Sequence, residues 1–333
     1  MRLAVGFNPV LSASEAARLA VKSEAAGFES FWIHESLFQR DVVTYLSAIS
    51  SCTSKLLVAS GAINTFTRHP ITVATTFASL SELSGGRAIL GVGLGSFPTM
   101  PLIGQSIFPV SETRPLQRIR EYVDLVRTVW SGTRVNFDGE FFKVKDLELG
   151  FKVTHRIPIF IASLSPMTQK YAGESADGVI LSPSLATVER TEAMVKNVSA
   201  GEVSKGRKIE RGSYMLASVD ADEEKARDVV RGFYFFIYQL SQVVNPDDLT
   251  GHGVNEEQIA RLRAAWKNGD MAEAKRLVPD AAIDALTITG SEERALDRIH
   301  EYVRAGVTLP IIMPIGNVDY ALERLSPGAS IAV

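Results

Sequence analysis

By its place at the end of an apolar run, Glu35 is the best-placed acid in this sequence to move a proton. It closes the apolar run "SFWIHE" beside His34 and just ahead of Ser36. A carboxylate partly withdrawn from water there has a raised pKa and can relay a proton; the same group could instead pair with Arg40 or Arg68. Downstream, "FTRHP" joins Arg68 to His69, and a neutral His69 before Pro70 is placed to cap the helix that follows. A third stretch, "GGRAILGVGLGS" over residues 85–96, alternates Gly91, Gly93 and Gly95 at the end of an apolar run. A dinucleotide fingerprint would need G-x-G-x-x-G opening a helix, and Pro98 and Pro101 oppose a helix here. Glycines at such a strand end instead remove side chains where a flat ligand or another backbone comes close. The five histidines include no H-E-x-x-H pattern and no Cys/His cluster, so no metal site is expected. Cys52, the only cysteine, reads as a small buried side chain near a helix end.

These groups can act only if a scaffold holds them. Eight short apolar runs alternate with longer helical-period segments: "LAVGFN" from Leu3, "SFWIHE" from Ser30, "KLLVASGA" from Lys55, "RAILGVG" from Arg87, "IPIFIAS" from Ile157, "GVILSP" from Gly178, "SYMLASV" from Ser213 and "LPIIMPIG" from Leu309. Between them lie amphipathic stretches such as "SEAARLAVKSEAAG", stopped by Gly27, and "RPLQRIREYVDLVRTVWSG", opened by proline and closed by Gly132. Eight strands with alternating helices predict a (β/α)8 TIM barrel, whose active site lies at the carboxyl ends of the strands. Two insertions interrupt the pattern: residues 132–156, where Asp138-Gly139 marks a β-hairpin, and residues 233–286, which read as extra helices near the barrel mouth. The expected organisation is one domain over residues 1–333 carrying both insertions.

A formal charge of −3 without long runs of either sign disfavours nucleic acid or an anionic membrane as partner, so a small-molecule substrate is expected. No segment sustains roughly 18 apolar residues. "MRLAVGFN" reads as a strand rather than a secretion signal, and a lone cysteine suits a reducing cytoplasm.

The blocks "AGFESFWIHESLFQRD", "VASGAINTFTRHP", "LSELSGGRAILGVGLGS", "RPLQRIREYVDLVRTVWSG" and "IPIFIASLSPMTQKYAGESADGVIL" resemble, in order and spacing, the luciferase-like family of flavin and deazaflavin enzymes. Within it the chain most resembles the methylenetetrahydromethanopterin reductase branch, with similarity continuing from "HGVNEEQIARLRAAWKNGD" to "AGVTLPIIMPIG". The resemblance implies coenzyme F420 (8-hydroxy-5-deazaflavin), or alternatively FMN, across the barrel mouth, in a homodimer. It implies a non-prolyl cis peptide at Gly61-Ala62, with Ile63 and Asn64 following; Asn64 would contact the ring or ribityl chain, or serve as a turn residue. Gly93 and Ser96 would border the ring. The phosphate would sit at "ASLSPMTQK", where Ser163 ends strand five and the amides of Ser165, Met167 and Thr168 face out from a helix start; ordinary capping by Ser165 and Thr168 is the competing reading. The family usually has glycine at Ser165. There are three further departures: Glu35-Ser36 replaces an Asp-His pair, Ser96 replaces an acid, and Gly6 replaces the reductases' glutamate. Glu35 and Ser36 are then the catalytic candidates. The implied activity is hydride transfer between the deazaflavin and a small organic, pterin-like substrate. An FMN-dependent monooxygenase and a catalytically silent flavin-binding protein are the alternatives.

Overall fold

The computed structural model describes residues 1–95, 100–105, 109–181 and 185–328. Eight parallel strands form its centre: β1 (Ala4–Phe7), β2 (Ser30–Ile33), β3 (Leu57–Ser60), β4 (Ala88–Gly93), β5 (Ile159–Ala162), β6 (Gly178–Ile180), β7 (Glu210–Ala217) and β8 (Leu309–Pro314). Each pairs with its chain neighbour, and β1 pairs with β8, so the sheet closes on itself as a (β/α)8 barrel. All eight apolar runs of the sequence supply a strand. The helices α1 (Ala13–Ala25), α2 (Val42–Cys52), α3 (Pro70–Leu83), α4 (Pro115–Trp130), α5 (Pro166–Ser175), α6 (Val188–Lys205), α7 (Glu292–Arg304) and α8 (Val318–Arg324) surround it.

Local chemistry accounts for the helix ends. Ser12 accepts from the Glu15 amide to start α1, Pro115 opens α4, and Gly132 at φ +74° follows its end. In α4 the stripe Ile119, Tyr122, Val123, Val126 and Val129 is buried against the barrel, each such side chain contributing about 1.5–3 kcal/mol. Cys52 does end α2, but it is exposed rather than buried, because it lies on that helix's solvent face in the last turn.

The barrel interior matches rings with glycines. A Cβ on Gly178 would fall 2.3 Å from the Phe160 ring, and one on Gly6 would fall 2.5 Å from the Tyr214 ring. Trp32 meets Phe160 edge-on at 5.1 Å and donates its indole N–H to Ser30. Strand glycines here make room for aromatic side chains from across the barrel.

After α4, Val135–Asp138 pairs antiparallel with Lys143–Leu147. Glu121 of α4 accepts the Glu140 and Phe141 amides and fixes the tip of this pair. Between β7 and α7 the chain leaves through helices Glu223–Arg231, Tyr234–Gln242, Asp247–Thr250, Glu256–Lys267, Met271–Arg276 and Asp280–Leu286, then rejoins at a Val219–Gly290 bridge. Phe236, Ile237, Leu240, Ile283 and Leu286 form one apolar cluster with Leu216, Ile311 and Met313, so this excursion continues the barrel's interior core. No helix among the described residues is long and apolar enough to cross a membrane.

Candidate functional site

At the carboxyl end of β3 the chain turns through a cis Gly61-Ala62 bond and rejoins β4 as Ile63–Asn64, opposite Val92 and Gly93. The alternating glycines admit this excursion. A Cβ on Gly91 would stand 2.1 Å from the Ser60 carbonyl oxygen, and one on Gly95 (φ +79°) would stand 2.2 Å from the Asn64 side chain. Ser60 fastens the approach, its hydroxyl accepting the Gly91 amide at 3.0 Å and donating to the Gly91 carbonyl at 3.1 Å. Another backbone, rather than a ligand, therefore accounts for Gly91. The side chain of Asn64 also serves the turn: its Oδ1 accepts the Phe66 amide at 2.8 Å, and its Nδ2 faces Met100 Sδ.

Glu35 binds this bulge to β2. One carboxylate oxygen accepts the Asn64 amide at 2.5 Å, and the other accepts from Arg68 Nε. Arg68 also reaches Asp41, while Arg40 donates to the Val10 carbonyl. Ser36 follows half-buried, its carbonyl accepting from the Gln39 amide. His69 Nδ1 accepts the Ile71 amide at 3.3 Å and so caps α3.

His34 stands beside the bulge, its ring 4.1 Å from that of Tyr214. Its Nε2 is buried with no partner among the described residues, and burial lowers the imidazole pKa to about 4. The ring is therefore neutral near pH 7. Because the unfolded value is about 6.5, the unfolded chain takes up the proton first. The stability gained by keeping His34 neutral is whole above pH ~6.5 and lost as pH falls toward 4, up to about 3 kcal/mol in all. Melting temperature against pH should accordingly fall less steeply below ~6.5 in His34→Gln than in wild type. Parallel curves would exclude this contribution.

Tyr214 was not singled out by sequence reasoning. From β7 it spans the barrel to Gly6 and Gly61, its hydroxyl 3.4 Å from the Gly61 carbonyl, and burial holds the phenol far above its usual pKa. The signal was present in Gly6 of β1 and Gly61 just after β3, which call for a large side chain opposite. Tyr214 thus fills the place where a side chain at position 6 would project.

β5 ends at Ala162, Ser163 directly follows it, and α5 starts at Pro166. The Ser165 amide is not free as expected, because it donates to Ser163 Oγ at 3.0 Å. Nor does the Ser165 hydroxyl cap the helix. The amides of Met167 and Thr168 have no acceptor among the described residues. Met167 is exposed and the Thr168 side chain is buried. Gln169, also missed from sequence, braces the turn by donating to the Ser163 carbonyl while its own carbonyl oxygen accepts from Asn197. Gly93 closes β4, where a Cβ would lie 3.2 Å from the Ala162 carbonyl. Ser96 lies outside the described residues. Among the described residues no His, Cys, Asp and Glu side chains gather as a metal site would require.

A family model described as luciferase-like monooxygenase matches residues 5–309. The 5,10-methylenetetrahydromethanopterin reductase of Archaeoglobus fulgidus is 32% identical over 324 residues, which span 95% of this chain and 94% of that one. The enzyme of the same name from Methanolobus tindarius is 31% identical, over 96% of each chain. The solved structure of the coenzyme F420-dependent tetrahydromethanopterin reductase from Methanopyrus kandleri matches with a TM-score of 0.87 at 26% identity, covering 98% of each chain.

Proposed function

The chain belongs to the luciferase-like family, and we propose that it is a coenzyme F420-dependent oxidoreductase that transfers a hydride between the deazaflavin and a small organic substrate of pterin-like type. The observation that carries this reading is the likeness, along nearly the whole chain, to reductases named for methylenetetrahydromethanopterin. The geometry of the mouth fits such a group. A flat ring needs a firm wall, supplied by the Gly61-Ala62 bulge, and an anionic side chain needs donors, supplied by the Met167 and Thr168 amides at the start of α5. Two buried polar atoms without partners among the described residues, His34 Nε2 just after β2 and Thr65 Oγ1 just after the bulge, leave hydrogen-bonding capacity unused there.

When bound, the deazaflavin supplies hydride chemistry at its carbon 5. The protein's part is orientation. Glu35 holds the bulge through the Asn64 amide and is paired to Arg68, so its role in this reading is positioning. Neutral His34 offers one hydrogen-bonding nitrogen to whatever lies against the bulge, with Ser36 nearby in sequence. At position 6 of β1, the Tyr214 ring from β7 takes the space that an acidic side chain would need, so no carboxylate stands there to take part in proton transfer. The Ser163–Thr168 turn would hold the phosphate through the Met167 and Thr168 amides, which have no acceptor among the described residues.

Purified protein supplied with reduced F420 and methylenetetrahydromethanopterin should oxidise the coenzyme, and reduced FMN should not replace it. Turnover with FMN and oxygen but none with F420 would transfer the reading to a monooxygenase.

A further inference from the structure

Arg118, on the first turn of α4, is held with no carboxylate paired to it among the described residues. Its guanidinium lies 4.3 Å from the ring centre of Phe66, 5.3 Å from Phe141 and 5.2 Å from Phe142. It makes two long bonds, from Nε and Nη2, to the single carbonyl of Thr65 at 3.4 and 3.3 Å. A guanidinium carries five N–H groups, so most of its capacity is unused. No carboxylate among the described residues pairs with it. Glu121, three residues further along α4 and the carboxylate whose charge acts on it, is occupied by Gln117 and by the Glu140 and Phe141 amides. Glu140 pairs with Arg114, and Glu35 and Asp41 both pair with Arg68.

An arginine half-withdrawn from water with no anion beside it carries a desolvation cost, and the burial lowers its pKa accordingly. Three aromatic faces offset part of that cost and fix the plane of the group. Its location gives the arrangement a purpose. Thr65 directly follows Asn64, the residue that Glu35 clamps, so Arg118 sits at the rim of the mouth next to the bulge. The Thr65 hydroxyl is itself buried and unpartnered.

We infer that Arg118 is an anion-binding residue, presenting its guanidinium to a carboxylate or phosphate of a ligand seated on the strand-three bulge. This rests on the proposed coenzyme site for its ligand. The anion has two possible sources with one chemistry: the phosphate-bearing side chain of the coenzyme, or an acidic group of the substrate.

The test compares Arg118→Met, which keeps the aliphatic stem against the phenylalanines, with wild type and with Arg118→Lys. Each is titrated with F420 and with 8-hydroxy-5-deazariboflavin, the same chromophore without phosphate or acidic side chain, and melting temperatures are recorded. If the coenzyme supplies the anion, removing the charge-assisted bond should weaken F420 about tenfold or more, leave deazariboflavin unchanged, and be partly restored by lysine. If the anion belongs to substrate, both titrations stay unchanged while KM for methylenetetrahydromethanopterin rises about tenfold with kcat retained. Equal weakening of both chromophores, or no change in either titration or in KM, overturns the inference and leaves Arg118 a packing residue. Wild-type protein that binds neither deazaflavin would instead defeat the coenzyme reading. The anion site is then decided by FMN against riboflavin, with the same phosphate-selective weakening expected in Arg118→Met and its absence overturning the inference.

Discussion

Glu35→Gln should lose stability and coenzyme affinity while retaining most of its turnover at saturating coenzyme. The carboxylate is 7% exposed and Arg68 26% exposed, and breaking one side of such a pair costs about 3–5 kcal/mol. Arg68 keeps Asp41, which places the expected loss near the lower end. A glutamine can still accept the Asn64 amide with its oxygen, but its NH2 then faces the Arg68 N–H groups, and two donors repel. The bulge proposed as the ring wall would lose its tie to β2, so coenzyme affinity should fall along with the melting temperature. Removal of a general acid would instead lower kcat by about 10² to 10⁴ with little effect on stability. Paired melting and steady-state measurements separate the two. A stable variant with kcat reduced a hundredfold would restore Glu35 as the proton relay that its strand position suggests.

Gly91→Val is expected to be more damaging still. The added Cβ would meet the Ser60 carbonyl oxygen at 2.1 Å, and the obstacle is backbone, so no rotamer change relieves it. Overpacking of this kind costs about 1–3 kcal/mol where side chains can yield and more where they cannot. It would also break the paired bonds between Ser60 and Gly91. Loss of soluble, folded protein or a large fall in melting temperature is the expected result. Gly150→Ala, where a Cβ meets nothing within 4 Å, is the control that should stay near wild type. A Gly91→Val protein as stable as that control would mean that β3 and β4 do not approach as described.

The barrel was legible because its signal is local: eight apolar runs of strand length, each bounded by helical-period segments. The hairpin likewise followed from Asp138-Gly139. What escaped depends on contacts between segments distant in the chain. Tyr214 gains its role from Gly6 and Gly61, which lie about 150 to 210 positions earlier in the sequence. The alternating glycines near residue 91 could have faced a ligand or a backbone, and only the path of β3 decides between them. Glu35 could pair with Arg40 or Arg68 as far as sequence tells, because a short strand-end loop can turn either way; the contacts select Arg68. At Ser165 the difference is finer. A serine two residues upstream, at 163, competes for the amide through a local turn that reads identically to a free helix start. The helix Tyr234–Gln242 lacked a clear polar face because both sides pack, one of them into the barrel's own interior cluster.

The most direct measurement follows the hydride itself. Reduced F420 carrying deuterium at both hydrogen positions of carbon 5 is incubated with the protein and methylenetetrahydromethanopterin, and the reduced product is examined by mass spectrometry and NMR. A deazaflavin oxidoreductase should deliver one deuterium per product molecule, independent of oxygen. Product carrying only solvent hydrogen, or consumption of oxygen without labelled product, would contradict the assignment.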